Sequence, residues 1–251
     1  MADTFILVEN LRKRYKDAQS DSLFPVSFSV NTGEKFGVLG PNGAGKTTLI
    51  SILTGILNPS SGKYHYIKDG VYLQPNHLKM QLGFVPQDYA FYDMLTAMQN
   101  MMYFGALYKL TKKEILKRSE ELFEILDLQE VAHKKVVYFS GGMKRRLNLA
   151  IGIVHRPLVL FLDEPTVGAD VQSKHAMIAY LNVLNEQGTT IIYTSHHMQE
   201  AQLFCNRIAF IRKGRMLACD TPYDLMKRYK SADMETLFIN LSQTEDITKY
   251  V

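Results

Sequence analysis

Hydrophobic positions alternate between strand-like and helix-like spacing along the chain. Near the start, short runs at Phe5–Val8 and Phe24–Val30 predict strands of an antiparallel sheet, and Pro25 suits a sheet edge or a strand start. The continuous apolar run Phe36–Leu39 predicts a buried strand, and Thr48–Leu53 predicts the beginning of a helix. The first part of the chain is therefore expected to mix strands with a helix.

Helical spacing dominates the middle of the chain, from Asp88 to about Val137. Thr96 is a candidate cap for one helix, and Thr111 with Glu114 has the form of a capping box for the next. In that second helix, six apolar residues recur at helical spacing: Ile115, Leu116, Leu122, Phe123, Ile125 and Leu126. We therefore expect a helical insert over about residues 88–155.

Strands and helices alternate again after the insert. The pattern predicts strands at Leu158–Leu162, Thr189–Thr194, Arg207–Ile211 and Arg215–Cys219, and helices at Gln172–Asn185, Met198–Phe204 and from Thr221-Pro222 onward. Short strands are also expected within Lys63–Val85. The predicted fold class is α/β, a mixed sheet flanked by helices, with an antiparallel β subdomain and an inserted α-helical subdomain. Residues 1–230 are expected to form this domain, and 231–251 a tail of open role.

Composition and charge narrow the functional classes only slightly. The 251 residues are 46% hydrophobic and 22% charged, and the formal net charge of +4 does not require a nucleic-acid partner. Short basic clusters such as Lys144-Arg145-Arg146 are interpreted mostly as solvated faces. Cys205 and Cys219 lack metal or redox spacing and are expected to be buried in a reducing compartment. A signal-peptide pattern and an apolar run of about 18 residues are both missing, so a cytoplasmic location is expected.

One contiguous segment matches G-x-x-x-x-G-K-[ST], the phosphate-binding loop of nucleoside triphosphatases: Gly40, Pro41, Asn42, Gly43, Ala44, Gly45, Lys46, Thr47 and Thr48. It lies between a predicted strand and a predicted helix, an arrangement that surrounds a triphosphate with backbone N–H groups. Lys46 would reach the outer phosphates, and the Thr47 hydroxyl would hold Mg²⁺. The fold is therefore expected to contain a P-loop NTPase core.

Two carboxylates follow the predicted strand Leu158–Leu162. Asp163 is a candidate Mg²⁺ ligand if this strand runs parallel to the one before the phosphate loop. Glu164 is a candidate for orienting or deprotonating the attacking water. The alternative is a strand that ends with acidic residues at the protein surface.

One further segment and three further residues are candidates on weaker signals. The segment Ser140-Gly141-Gly142 begins a predicted helix with a good cap, and its glycines leave N–H groups suited to an anion, although it could be a plain helix start. His196 follows a predicted strand and could reach a γ-phosphate, or could lie at the surface. Gln87 is a possible metal or water contact. Tyr15 could stack on adenine, and core packing is the equal alternative.

Taken in chain order, these motifs resemble those of the nucleotide-binding domain of ATP-binding-cassette (ABC) transporters. The matches are the aromatic A-loop (Tyr15), Walker A (Gly40–Thr48), the Q-loop (Gln87), the signature (Phe139–Met143), Walker B (Leu158–Glu164), the D-loop (Val167–Asp170) and the switch histidine (His196). Met143 replaces the usual Gln, a form similar to the ABC-2 type exporter branch. Ala169 and Val171 replace the usual Leu and Pro of the D-loop and leave Asp170 intact.

The resemblance implies an ATPase that uses ATP and Mg²⁺ and works as a head-to-tail dimer around two ATP molecules. It assigns Lys46, Glu164 and His196 to catalysis, and Thr47, Gln87 and Asp163 to the metal. The signature residues Ser140, Gly141, Gly142 and Met143 would complete the ATP site of a second subunit, expected to be another copy of this chain. The other implied partner is an integral membrane permease, through which the cassette would lie on the inner face of the membrane. No nucleic-acid partner is expected.

Two other function classes are alternatives to a transporter ATPase. A soluble cassette acting on ribosomes or DNA would resemble members with two cassettes in one chain, or with a long coiled coil between Walker A and the signature. This chain has one cassette, and the stretch between Lys46 and Ser140 leaves no room for such a coiled coil. A nucleotide-gated binding module with little hydrolysis is disfavoured by the intact Glu164 and His196.

Overall fold

The computed structural model describes residues 3–73 and 78–243. The chain divides into two compact units, one made of residues 1–75 and 190–251 and the other of residues 76–189. Within the described ranges, every helix is too short or too polar to cross a lipid bilayer. Each unit has its own buried apolar side chains.

The unit that contains both ends of the chain has an antiparallel sheet with the strand order β2-β1-β4-β5. Its strands are β1 (Thr4–Lys13), β2 (Leu23–Asn31), β4 (Ser61–Lys68) and β5 (Val71–Tyr72). Alternate residues of β2 are buried, among them Val26, Phe28 and Val30, as expected for a strand with one face on a core. Pro25 lies on this edge strand, where a missing N–H removes no ladder hydrogen bond from the sheet interior.

A mixed sheet in the same unit carries the phosphate-loop segment. Its order is β10-β9-β3-β8, formed by β3 (Lys35–Leu39), β8 (Thr190–Ser195), β9 (Arg207–Arg212) and β10 (Arg215–Asp220). Strand β3 runs parallel to β8 and β9, and β9 pairs antiparallel with β10. Strand β3 lies between β8 and β9, and its apolar run is fully buried, as the sequence pattern predicted. The described residues of this unit also form the helices α1 (Lys46–Leu53), α6 (Met198–Phe204), α7 (Pro222–Arg228) and α8 (Met234–Gln243).

The second unit combines a parallel strand pair with helices. Strands β6 (Leu82–Val85) and β7 (Val159–Asp163) pair in parallel, and the helices are α2 (Ala97–Leu107), α3 (Lys112–Ile125), α4 (Gly141–Ile153) and α5 (Val171–Glu186). The predicted caps of α2 and α3 are confirmed: Thr96 and Thr111 each form a reciprocal capping box, with Gln99 and Glu114. Helix α3 buries Ile115, Leu122, Phe123 and Leu126 and leaves Ile125 exposed.

Several elements differ in extent from their prediction. Strand β1 continues past Val8 to Lys13, because irregular pairing around Asn10 (φ +47°) carries the strand through its polar part. Cys205 is buried, but Cys219 is only half-buried, so the expectation of two buried thiols was wrong for Cys219. Residues 1–2, 74–77 and 244–251 lie outside the described ranges. These residues include part of the segment Lys63–Val85, in which short strands are expected, and part of the tail 231–251.

Candidate nucleotide site

Residues Gly40–Gly45 form the turn between β3 and α1, and Lys46, Thr47 and Thr48 begin the helix. The Gly40 N–H donates a hydrogen bond to the Ser195 carbonyl oxygen at 3.3 Å, which fixes the start of the turn at the end of β8. At Gly45 the backbone has a φ of +105°, and a Cβ there would lie 2.7 Å from the Ser22 carbonyl oxygen. Both facts require glycine at this position, so the motif glycine has a local structural cause.

Lys46 is buried at the point where α1 begins. Its Nζ donates to the carbonyl oxygens of Gly40 at 2.7 Å and Pro41 at 3.1 Å, so the ammonium group lies inside the turn. The first turn of α1 has no acidic residue, and Gly45 supplies no side-chain cap. The N–H groups at the start of α1 and the ammonium group of Lys46 together make a positive cradle that suits a phosphate.

Tyr15 lies beside the same loop. Its hydroxyl oxygen is 3.4 Å from Thr48 Oγ1, and Lys13 Nζ lies 5.5 Å from the centre of its ring. The ring is exposed, so the alternative of core packing does not apply. An exposed aromatic ring next to a phosphate cradle can stack on a nucleotide base.

His196 directly follows β8, which pairs in parallel with β3. Leu39 is the partner of Ser195 in that pairing, so His196 and the phosphate loop leave the sheet at the same edge. A groove of about 450 Å³ is lined in part by His196 and by Pro41 and Asn42 of the loop. The structure therefore brings the predicted switch histidine and the predicted phosphate loop to one site.

The two Walker B carboxylates belong to the second unit. Asp163 is the last residue of β7 and Glu164 follows it, and both are buried rather than at the surface. Glu164 has a φ of +49°, the left-handed region that a glutamate rarely adopts. Such a conformation costs on the order of 1–3 kcal/mol and is found most often at functional sites. The strand-end position was predicted from the sequence, and the unusual backbone of Glu164 was not.

The signature and the D-loop pack against each other in this unit. Ser140 caps α4 as predicted, because its Oγ accepts a hydrogen bond from the Met143 N–H at 3.2 Å. Asp170 caps α5, accepting from the backbone N–H of Ser173 at 2.8 Å and from its hydroxyl at 2.7 Å. These bonds hold the pKa of Asp170 below its usual value. A Cβ on Gly142 would lie 2.1 Å from Asp170 Oδ2, so this glycine is required for helix packing.

Comparison with known proteins agrees with this arrangement. The family model described as ABC transporter matches residues 23–167. The chain belongs to the ABC transporter family. It is 44% identical over 223 residues to the linearmycin resistance ATP-binding protein LnrL of Bacillus subtilis, a match that spans 88% of this chain and 70% of that protein. It is also 37% identical over 229 residues to the Nod factor export ATP-binding protein I of Burkholderia orbicola, spanning 91% and 75% of the two chains.

Solved structures of ABC cassettes share the fold. An ATP-binding subunit of an ABC transporter superimposes with a TM-score of 0.85 at 25% identity, covering 95% of this chain and all of that one. The dimeric post-hydrolysis state of the cassette MJ0796, bound to ADP and Pi, has a TM-score of 0.76 at 25% identity and covers 86% of this chain and 98% of that one. The family, the α/β fold and the ATPase class predicted from the motifs are thereby confirmed.

Arg145, to which no sequence motif assigned a role, connects the loops of this ABC cassette. Arg145 donates through Nε to the Val167 carbonyl oxygen at 2.8 Å and through Nη1 to the Gln87 carbonyl oxygen, and its guanidinium lies 4.7 Å from the centre of the Tyr89 ring. Its neighbour Arg146 is buried. The interpretation of this basic cluster as a solvated face was therefore wrong for both arginines. The signal in the sequence that could have indicated these contacts was the presence of arginine in the turn that follows the signature glycines.

The residues present in the cassette fit Mg²⁺ only if the nucleotide supplies further ligands. Among residues 3–73 and 78–243, no three His, Cys, Asp or Glu side chains cluster as an all-protein metal site. The predicted ligands Thr47, Gln87 and Asp163 offer a hydroxyl, an amide and a carboxylate oxygen, and hard oxygen ligands suit this ion. Mg²⁺ in triphosphatases is usually held by one or two such groups together with substrate phosphates.

Proposed function

We propose that this cassette is the subunit of an ABC exporter that hydrolyses ATP and drives a separate membrane permease. The observation that carries the proposal is the phosphate loop built around the buried, loop-bonded ammonium of Lys46. The names of the relatives support the export direction: they are ATP-binding proteins of linearmycin resistance, Nod factor export and daunorubicin resistance. The cassette would lie on the cytoplasmic face of the membrane, held there by the permease.

Within the nucleotide site, the roles follow from the chemistry of each side chain. Lys46 and the first N–H groups of α1 bind the phosphates, and Tyr15 stacks on the adenine. Thr47, Asp163 and Gln87 hold Mg²⁺, which neutralises charge on the phosphate oxygens when it is bound.

Hydrolysis needs a water molecule that is oriented and deprotonated. Glu164, whose backbone has the left-handed conformation described above, is proposed as the group that accepts its proton. His196 contacts the γ-phosphate from the edge of the sheet that it shares with the loop. These two residues therefore decide whether bound ATP is cleaved.

A second copy of the chain completes each site. Ser140, Gly141 and Gly142 of one copy supply a hydroxyl and N–H groups at the start of α4, which suit the γ-phosphate bound by the other. ATP then binds the closed dimer far better than the separate subunits, and hydrolysis removes this difference. The dimeric arrangement of the matched cassette supports this proposal.

The permease contact is proposed at a group of side chains next to the Q-loop, here called the aromatic patch, which consists of one methionine and five aromatic residues: Met94, Tyr89, Phe91, Tyr92, Tyr103 and Phe104. Tyr92 and Tyr103 meet edge to face at 5.1 Å, and Tyr89 stacks on Phe91 at the same distance. Met94 is 66% exposed although it is apolar. Exposed, connected aromatic side chains are typical of a protein interface. Arg145 ties this patch to the signature helix.

The test of the proposal is the Glu164→Gln variant. We expect it to bind ATP with unchanged affinity, to form a stable ATP-dependent dimer in size-exclusion chromatography with light scattering, and to lose phosphate release by about 10²-fold or more. Lys46→Ala is the contrasting variant, because it should lose ATP affinity and therefore never dimerise. Full ATPase activity of Glu164→Gln would remove Glu164 from its role.

Purification of the unchanged cassette from its native cells distinguishes an exporter subunit from a soluble cassette. A cassette of an exporter should purify with a multi-span membrane protein from its native cells. Retention on ribosomes or nucleic acid without such a protein would instead favour a soluble cassette.

A further inference from the structure

The C-terminal helix α8 forms one wall of the groove beside the phosphate loop. We call this groove the α8 groove, lined by Pro41, Asn42, His196, Met198, Glu235, Phe238 and Ile239. Three of the seven residues belong to α8, a part of the chain to which neither the motifs nor the proposed function assigns a role. The helix therefore borders the nucleotide site directly.

The groove is a built feature of the unit. Helix α8 is anchored by the buried side chains of Leu237 and Leu241 on one face, and Asp233 binds the Thr236 N–H at 2.7 Å at its start. Phe238 packs on Phe210, with the ring centres 5.4 Å apart. The floor of the groove is therefore fixed by the core.

The open side of the groove is apolar. Ile239 is 52% exposed, and Phe238 and the buried Met198 also line the groove. Glu235 is the acidic group at its rim. A surface of this kind favours a small apolar side chain with no negative charge.

The second unit displays a side chain of that kind beside the D-loop. Val171, the first residue of α5, is 74% exposed. It follows Asp170, whose carboxylate sits so close to Gly142 that a Cβ there would be 2.1 Å away. The signature and Val171 are thus parts of one packed body, and any surface that meets the signature also approaches Val171.

We propose that the α8 groove of one copy receives Val171 of a second copy, so that α8 is part of the ATP-dependent dimer interface. This proposal rests on the head-to-tail dimer of the proposed function. In that dimer the signature of the second copy closes on the phosphate loop, and Pro41 and Asn42 of that loop line the groove. The groove is therefore continuous with the interface, and Val171 is an exposed apolar side chain on the packed body that carries the arriving signature.

The proposal explains the unusual D-loop. Where a proline is frequent in the family, Val171 presents two methyl groups on an exposed side chain. The chain thus pairs a departure from the D-loop pattern with an apolar groove on its C-terminal helix.

A charge-swap experiment in the Glu164→Gln background tests the contact. Ile239→Lys places a cation in the groove, and its position four residues after Glu235 preserves the helix. Val171→Glu places an anion near Glu235, and an acidic residue at the first position of α5 suits the helix dipole. We expect each variant to weaken the ATP-dependent dimer by about tenfold, measured as the dissociation constant from sedimentation. The double variant should recover most of that loss.

Matched controls carry the same charges elsewhere. Leu203→Lys changes the exposed side chain of α6, and Val183→Glu changes an exposed position of α5 outside the groove. Neither control should alter the dimer. If Glu164→Gln itself fails to dimerise with ATP, the proposed function is wrong. If it dimerises while Ile239→Lys and Val171→Glu dimerise equally well, or if the double variant shows no recovery, only the α8 contact is wrong.

Discussion

At the scale of single residues, His155 shows how burial changes a titration. Its ring stacks on Tyr108 with the ring centres 3.5 Å apart, and Nε2 donates to the Leu82 carbonyl oxygen at 3.1 Å. Nδ1 is buried and has no hydrogen-bond partner among the described residues. Burial lowers the pKa of His155 to about 4, and the hydrogen bond to Leu82 offsets only part of this effect. The folded protein therefore holds this imidazole neutral.

The pH dependence of stability follows from that shift. The unfolded chain binds a proton at His155 near its ordinary pKa of about 6.5, whereas the folded chain does so near 4. The contribution is complete above pH 6.5 and is lost as the pH falls towards 4, with a loss of roughly 2 kcal/mol at about pH 5. The free energy of unfolding in urea, compared between about pH 5 and a pH above 6.5, measures this loss. His155→Phe keeps the stack and removes the titration, so its stability should change less over this window. Parallel losses in both proteins would contradict the assignment.

Arg145 and Glu164 show what single-residue patterns leave out. The phosphate loop could be predicted because all its determinants are contiguous, from the strand before Gly40 to the helix after Thr48. The partners of Arg145 lie 22 and 58 residues away, so only the fold reveals them. The positive φ of Glu164 is also invisible in sequence, because residue type does not favour it.

At the scale of elements, the signature helix α4 is positioned by Arg145. Arg145→Ala removes donors from the Gln87 and Val167 carbonyl oxygens, which then lose a charge-assisted hydrogen bond each. We expect ATP turnover to fall about tenfold, because the Q-loop and D-loop are no longer tied to the signature. The matched control is Lys144→Ala, which loses a surface ion pair with Asp93. Equal losses of ATP turnover in Arg145→Ala and Lys144→Ala would show that Arg145 does not position the signature helix.

The packing of α4 on α5 gives a second test at this scale. Gly142→Ala would force its Cβ against Asp170 Oδ2 and Ser173 Oγ, whereas the nearest atom for a Cβ at Gly141 is the Gly168 carbonyl oxygen at 3.5 Å. Without nucleotide, Gly142→Ala should lower the free energy of unfolding by about 1–3 kcal/mol. Gly141→Ala should leave it unchanged or raise it by up to about 1 kcal/mol, since alanine favours helices. Thermal unfolding distinguishes them, and identical shifts would rule out the packing role of Gly142. The sequence assigned both glycines to anion binding and could not separate them.

At the scale of the whole molecule, each unit of the cassette has a surface that its own fold does not cover. Elements and caps such as those at Thr96 and Thr111 could be predicted because hydrophobic spacing and capping residues act locally, and the family could be identified because its motifs are short contiguous segments in a set order. The surfaces depend on which side chains the tertiary fold brings together. The aromatic patch joins residues before and within α2, and the α8 groove joins the phosphate loop to the C-terminal helix. Neither grouping has a periodic signal in the sequence.

The aromatic patch gives the test that concerns the assembled transporter. Met94→Glu puts a charge on an exposed apolar position outside the nucleotide site, so basal ATPase activity and folding should persist. Binding to membranes from the native cells should fall at least about tenfold, measured as the cassette fraction that sediments with salt-washed vesicles. Tyr223→Glu, an exposed aromatic position on α7, is the matched control and should sediment like the unchanged protein. Equal sedimentation of all three would place the permease contact elsewhere on the cassette, and loss of basal activity in Met94→Glu would mean that the patch supports the nucleotide site itself.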